Sequence, residues 1–402
     1  MRRIGILAQG FIDWAGGIDF LYSVADAIRA SSDSAEMHLL LPEQRPKHSA
    51  ARWLQAARDA LSRRPLVASG IPSPPGCEDV AALCAATHRI ARGRRGINAA
   101  IKQLGIDVLL PSHAPLPRRI DCPWIGYIYD FQHRRLPELF TERERRQRDR
   151  RFSAIVSLAD AVIVNSRDTA TEARAAYPEH ARKIRALPFN ASPREHWFSA
   201  PNAAVPSATG DAIRGHEYFM VSNQFWVHKD HPTAFRAFAR LAHRNPTVRL
   251  VCTGQTSDYR RPDYFPGLLQ LLAELGIGDR VIITGLLPKL EQIALLRGSV
   301  ALIQPTLCEG GPGGGAVYDA VALGVRSIVS EIAINKELAA EPTVTFFPTG
   351  NAEALAVLMG RALETPSATL PADELRAAGR RRRAACGRVI LDLIDEIGSA
   401  KR

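Results

Sequence analysis

The run CEGGPGGGAVYDAVALG, from Cys308 to Gly324, decides how the rest of the chain is read. Glycine and one proline fill every position from Gly310 to Gly315, and an apolar run of helical character follows. Just upstream, Ala301–Gln304 (ALIQ) reads as a short buried strand. Strand, glycine loop and helix in that order place a helix N-terminus at the end of a strand. Free N–H groups and the positive end of the helix dipole attract phosphate there. Glycine lets the backbone come within hydrogen-bond distance of a ligand and take up φ > 0. On this reading Gly310, Gly311, Gly313, Gly314 and Gly315 form a pyrophosphate cradle, with the diphosphate on the amides of Gly313–Gly315. Glu309 is placed to accept from ligand hydroxyls. Asp319, among Val317, Ala320 and Val321, is an anion that a diol such as ribose would satisfy. A mobile surface loop with a solvated Asp319 is the bland alternative. A dinucleotide site is the sharper one: Gly311, Gly313 and Ala316 fit G-x-G-x-x-A, with Glu331 after the next strand.

Outward from this loop the chain alternates. Ile4–Leu7, Met37–Leu41, Val108–Leu110, Trp124–Ile128 and Ala161–Val164 read as strands, with helical stretches from about Ile18 to Arg29, at Trp53–Leu61 and between the later strands. A segment rich in Pro, Ala, Ser and Gly breaks the pattern. The alternation then restarts with Tyr218–Val221, Val248–Thr253, Val281–Thr284, Ala301–Gln304 and Ser327–Val329. Short apolar strands with helices between them mean parallel sheets. The fold class is α/β, with two Rossmann-like domains facing a central cleft. The boundaries predicted are 1–195 for the first domain, 196–215 for a linker, 216–378 for the second domain and 379–402 for a C-terminal helix returning toward the first. Ligands bind at the carboxyl ends of such sheets, so function is sought just after strands.

The 402 residues are 46% hydrophobic and 23% charged, which suits two globular domains and excludes wholesale disorder. The formal net charge of +11 predicts attraction to something anionic. Six scattered cysteines, without C-x-x-C spacing, argue for reduced thiols and against a disulfide frame or zinc site. The opening MRRIGILAQGFIDWAGG reads as a strand, not as a leader, and no run is long enough to span a bilayer. The expectation is a cytoplasmic protein.

The order PTLCEGGPGGGAVYDAVALGVRSIVSEIAINKEL resembles the donor site of family-4 retaining glycosyltransferases, which have the GT-B fold. Those enzymes carry an acid, a glycine loop, and a second acid on the following helix. Glu309 matches the first, which in the family contacts the donor sugar; Asp319 matches the second, which contacts the nucleotide ribose. The spacing here is two residues longer than the family's, and the second acid is Asp. Gly16 and Gly17 match the N-terminal glycine pair that approaches diphosphate and acceptor. SNQFWVHKDH resembles the stretch bearing a basic pair, with Lys229 as the lysine and Asn223–Gln224 where an arginine is expected; His228 or loop amides are the substitutes. YIYDFQH supplies Asp130 and His133, the latter at the position of a family histidine beside the transferred sugar. VIVNSRD (Asn165, Ser166) resembles an acceptor-side segment, with a helix cap by Ser166 as the equal alternative. Glu337 matches a position near the donor loop, and backbone around Gly285–Leu287, with Gly285 and Leu286 foremost, meets the base.

The resemblance implies a retaining, metal-independent transfer of a hexose, with mannose favoured, from a GDP- or UDP-linked donor to a glycan or lipid-linked acceptor in polysaccharide or glycolipid assembly. It implies no cofactor. Alternatives are a nucleotide-sugar epimerase of the same fold, an NAD-dependent oxidoreductase, and a non-catalytic binding protein. The run TERERRQRDRRFSAIVSLAD, with Arg92–Gly96 and Arg63–Arg64, makes the first domain basic. It reads either as peripheral attraction to the anionic inner face of the membrane or as a self-paired helix. Nucleic acid binding is not expected, since no aromatics interleave the arginines.

Overall fold

The computed structural model describes residues 2–13, 15–43, 66–71, 76–199, 205, 207–365 and 370–399. The strands are β1 Arg2–Leu7, β2 Ala35–Pro42, β3 Val67–Ser69, β4 Ala86–Ile90, β5 Val108–Ser112, β6 Trp124–Tyr127, β7 Ala161–Val164 and β8 Ile184–Ala186. A second set follows as β9 Tyr218–Ser222, β10 Arg249–Thr253, β11 Val281–Gly285, β12 Ala301–Gln304, β13 Ser327–Ser330 and β14 Val344–Phe347. The longer helices are α1 Ala15–Ser31, α2 Gly93–Leu104, α3 Glu142–Leu158, α4 Arg167–Ala176, α5 His231–Arg244, α6 Tyr264–Glu274, α7 Lys289–Gly298, α8 Gly314–Ala322, α9 Ala352–Glu364 and α10 Ala372–Ser399.

The strands build two sheets, in the orders β3-β4-β2-β1-β5-β6-β7-β8 and β11-β10-β9-β12-β13-β14. All neighbours run parallel except β3, which pairs antiparallel with β4 through Val67 opposite Ile90. Helices cover both faces of each sheet, which is why β5, β6, β7, β12 and β13 are buried along their whole length. The first sheet carries α1 and α10 on one face and α2, α3 and α4 on the other. The second carries α5, α6 and α9 on one face and α7 with α8 on the other. This is the GT-B arrangement of two Rossmann-like domains.

Several local expectations are corrected. Strands β3, β4, β8 and β14 went unread, being short or interrupted by polar residues such as Thr87, His88 and Arg89. The linker is not wholly irregular: short helices occupy Glu195–Ser199 and Ser207–Ile213. The C-terminal helix starts at Ala372 and lies partly in the second domain. Arg382 meets Glu341 there, and Arg383 meets Asp26 of α1 at 2.5 Å. The expected helix over Trp53–Leu61 and the pair Arg63–Arg64 lie outside the described residues.

In each sheet the chain builds outward from a central strand and then returns to that strand's other side. The returns put β1 beside β5 and β9 beside β12. Loops leaving two such strands diverge, and the crevice between them is where α/β sheets take ligands. The second sheet's crevice lies between the loop after β9, with Lys229, and the loop after β12, with Glu309 and the glycines.

Candidate active site

The two loops of the second crevice are stitched together by backbone. Leu307 N donates to His228 O at 2.8 Å, and Thr306 Oγ1 donates to the same oxygen at 3.1 Å. This brings Lys229 Nζ to 2.5 Å from Glu309 Oε1, with the two side chains 13% and 9% exposed. Gln304 Nε2 donates to that carboxylate oxygen at 3.0 Å, and Asn223 Nδ2 fixes Gln304 at 2.7 Å. So Asn223, standing where an arginine was expected, orients the glutamine that steadies Glu309. His228 does not replace the missing charge. Burial and the adjacent Lys229 push its pKa down to about 2, leaving it neutral. The additional cation nearby is Arg260, from the β10–α6 loop. It pairs with buried Asp258 at 3.3 Å, stacks near Trp226, and donates to Gln132 of the first domain at 3.3 Å.

The glycine loop itself is tightly seated. Gly313 and Gly314 have φ of 72° and 68°, which side-chain-bearing residues rarely adopt. A Cβ on Gly310 would overlap the carbonyl oxygen of Tyr129, so the loop abuts the end of β6 beside Asp130. Thr169 Oγ1 donates to Gly310 O at 3.3 Å across the same boundary. The loop is not slack. The cradle is narrower than expected, however. Gly313 N donates to Asn335 Oδ1 at 2.8 Å and Gly314 N to Gly311 O at 3.1 Å, whereas Gly315 stands in open space at the head of α8.

Asp319 is buried, and its partner here is a side chain. Lys289 Nζ lies 2.6 Å from Asp319 Oδ2 and 3.3 Å from Asp19 Oδ2 on α1. Arg194 extends the chain, at 2.5 Å from Asp19 and 2.6 Å from Asp79. Five alternating charges thus run from the second domain into the first. Burial drives the Asp319 carboxyl above its ordinary range while Lys289 pulls it down, and burial prevails. The ends of other strands behave more simply. Gly285 has φ 71° and its carbonyl accepts from Gly254 N, while Leu286 is exposed.

On the first domain the outcome is mixed. Asp130 reaches the cleft beside Gly310, held by Arg148 at 3.0 Å. His133 does not. Its side chain is fully buried among Phe131, Phe140 and Phe152, with Nε2 on Asp149 at 3.1 Å, and burial lowers its pKa. One short helical turn, Gln132–Arg135, rotates it away from Asp130. Gly16 and Gly17 lie inside the first turn of α1, not in a loop before it. Ser166 caps α4 through Thr169 N at 2.9 Å, and Asn165 donates to Tyr127 Oη at 2.6 Å. Glu337 is also spent on α4, accepting from Arg167 N and Asp168 N.

The first sheet's own crevice contains a pair that the sequence reading missed. His113, after β5, presses on Gly10, after β1: a Cβ there would fall inside the imidazole, and φ is 80°. Burial lowers the His113 pKa, so the ring is neutral. Two open cavities, of about 670 and 340 Å³, lie away from the central pair; Arg260 lines the former and His133 the latter, and neither includes Lys229 or Glu309.

Residues 212–382 match the family model described as Glycosyl transferases group 1. The second domain is that of a group 1 glycosyltransferase. The matched segment holds Lys229, Lys289, Glu309, the glycine loop and Asp319. Among solved structures, sucrose-phosphate synthase from Thermosynechococcus elongatus is similar over 100% of both chains, with a TM-score of 0.63 at 17% identity. HepE of Anabaena in complex with UDP is similar over 98% of this chain and 100% of its own, at a TM-score of 0.62 and 14% identity. A UDP-forming trehalose-phosphate synthase from Burkholderia xenovorans is similar over 98% and 99%, at 0.63 and 14%. At these identities the likeness is one of fold, and it extends the GT-B assignment over the whole chain. A search of the curated proteins finds no match. The oxidoreductase reading of Gly311, Gly313 and Ala316 falls with this family match.

Proposed function

We propose that this glycosyltransferase moves a hexose from a nucleoside-diphosphate donor to a hydroxyl of a glycan or lipid-linked acceptor, with retention at the anomeric carbon. The observation that carries the reading is the Lys229–Glu309 pair at the second crevice, under the head of α8 and facing Asp130. A nucleoside diphosphate brings two negative phosphates to that crevice. Lys229 and the first-turn amides from Gly315 onward neutralise them, without a metal ion. Glu309, released from Lys229 as the phosphates take the ammonium, accepts from the sugar hydroxyls. Asp319 accepts from the ribose, and backbone at Gly285–Leu286 meets the base.

In the reaction the bond from the anomeric carbon to the diphosphate oxygen breaks and a bond from that carbon to the acceptor oxygen forms on the same face. The acceptor proton leaves on the departing diphosphate. Fixed donors aimed at that diphosphate stabilise the developing charge. Asp130 contacts the sugar or acceptor; His133, buried with Asp149, holds the Asp130 turn in place. Solved relatives in fold are complexes with UDP and with UDP-glucose, which supports uridine as the first base to try. The sequence resemblance favoured mannose on GDP, and that is the second.

The test is a melting-point panel with UDP, GDP, ADP and dTDP and their common sugars, on wild type and Glu309→Ala. One nucleoside diphosphate should raise the midpoint in both proteins, and its sugar should add a further rise only in wild type. A chain that responds to no nucleotide does not use this crevice as proposed.

A further inference from the structure

Part of the net charge of +11 is gathered on one surface of the first domain. The arginine-rich α3 is neutralised in part, with Arg143 and Arg150 exposed and in no ion pair among the described residues. Arg145 and Arg146 pair with Glu142, Arg148 with Asp130, and neighbouring Arg134 with Asp149, while Arg151 donates to Tyr129. The arginines at the start of α2 are different. Arg92, Arg94 and Arg95 are exposed, as are Arg118 and Arg119 in the β5–β6 loop. Among the described residues Arg94, Arg95, Arg118 and Arg119 make no ion pair.

Asn98 joins the two groups. Its Nδ2 donates to Arg119 O at 3.1 Å, and its Oδ1 accepts from Asp121 N at 3.3 Å. Arg119 takes a left-handed φ of 65° at this staple. Residues three and four positions before Asn98 on a helix lie on its face, so Arg94 and Arg95 flank the stapled loop. Leu66 completes the surface. It is 45% exposed, and its carbonyl accepts from Ala91 N, next to Arg92. Pro117 is exposed beside Arg118. Five cations with an exposed leucine, and only Asp121 as an exposed acid on the staple, suit a plane of phosphates over an apolar interior.

We propose that this surface, Leu66 with Arg92, Arg94, Arg95, Arg118 and Arg119, docks the enzyme on anionic phospholipid bilayers. It goes beyond the donor chemistry and does not depend on it. In α3, the more basic run in sequence, Arg145, Arg146 and Arg148 are spent on acids. The β5–β6 loop runs from Ser112, where β5 ends, to Trp124, where β6 begins.

The experiment is co-sedimentation of the full chain with phosphatidylcholine vesicles, with and without phosphatidylglycerol, in low and high salt. Wild type should sediment only with the anionic vesicles and be released by salt. Each arginine near such a surface strengthens partitioning about fivefold. Reversing Arg94, Arg95, Arg118 and Arg119 to Glu should therefore weaken it more than a hundredfold by the same count. The four Gln substitutions serve as a milder second variant, and an unchanged melting point reports intact folding. Leu66→Ser should weaken vesicle binding and leave binding to soluble inorganic polyphosphate unchanged. Retained vesicle binding in both arginine variants overturns the proposal, as does equal binding to neutral vesicles. Polyphosphate binding as tight as vesicle binding, with Leu66→Ser changing neither, assigns the surface to soluble polyanions instead.

Discussion

The two crevices of this molecule are built on one plan and equipped differently. In the first, β1 and β5 are followed by Gly10 and His113, a neutral imidazole pressed on bare backbone. In the second, β9 and β12 are followed by Lys229 and Glu309, a close ion pair with a glutamine and an asparagine behind it. The same topology thus offers a neutral imidazole on one side and a separable ion pair on the other. A diphosphate leaving group requires the second kind of site, because only there can an anion be exchanged for the resident carboxylate. The acceptor hydroxyl requires nothing charged. The five-member ionic chain through Lys289 connects the two, from Asp319 behind the second crevice through Asp19, on the helix that follows β1, to Asp79.

The sharpest way to break the comparison is to neutralise the second crevice. Glu309→Gln keeps its shape and should lower kcat about a thousandfold, on the scale of losing a fixed polar contact in a transition state. The nucleotide-induced rise in melting point should persist. If Glu309→Gln turns over like wild type, the ion pair is structural and the two crevices do not differ in kind.

Cutting the connection comes next. Lys289→Met leaves Asp319 buried without its cation and should cost about 3 kcal/mol of stability near neutral pH. Burial already holds the Asp319 pKa up, and the variant raises it further. A carboxyl with a raised folded pKa keeps its proton in the folded state. The deficit should therefore be small below the ordinary carboxylate value of about 4 and grow as pH rises through it. Melting curves across that range check the direction.

The first crevice should respond to backbone, not to charge. Gly10→Ala meets both a left-handed φ and the His113 ring, and should cost about 2 kcal/mol. Adding His113→Ala should return part of that, since the clash disappears while the φ strain remains. A double-mutant cycle measures the coupling, and additivity would mean that the two residues do not touch in solution.

The smallest effect is in the acid limb. Burial pushes His231 down to about 3, and buried His228 lies lower still. Histidines with lowered folded pKa bind protons more readily when unfolded. Stability should therefore fall as pH drops below about 6.5 and keep falling toward the folded values. His231 stacks on Phe225 at 4.3 Å with both ring nitrogens unpartnered. His231→Phe should be near neutral at pH 7 and gain about 2 kcal/mol near pH 5. Equal acid sensitivity in the variant would move the titrating group elsewhere, with His113 of the first crevice the next to examine.

What could be read in the sequence was whatever depends on neighbours along the chain. Alternating apolar strands and helices were legible at Tyr218–Ser222 or Ala301–Gln304 because burial on both faces makes such strands apolar throughout. The glycine loop was legible because a run of glycine before a helix has few other physical uses. Glu309 and Lys229 were legible as candidates for the same reason: each stands just after a strand. Strands β3, β4, β8 and β14 were not, since edge and near-edge positions tolerate polar residues and shorten the signal.

Partners were decided only by tertiary structure. Nothing local pairs Lys229 with Glu309, eighty residues on, or Lys289 with Asp19, in the other domain. A single turn, Gln132–Arg135, took His133 out of the cleft and left Asp130 in it, a rotation no periodicity reports. The arginines teach the same distinction. In sequence α3 is the basic helix, yet folding brings acids to it from its own surface and from the turn before it. The fewer arginines of α2 and the β5–β6 loop remain unpaired, because Asn98 gathers them where no acid among the described residues pairs with them. Sequence determined which charges the chain has and which loops end its strands; the fold determined which of those charges are spent on each other.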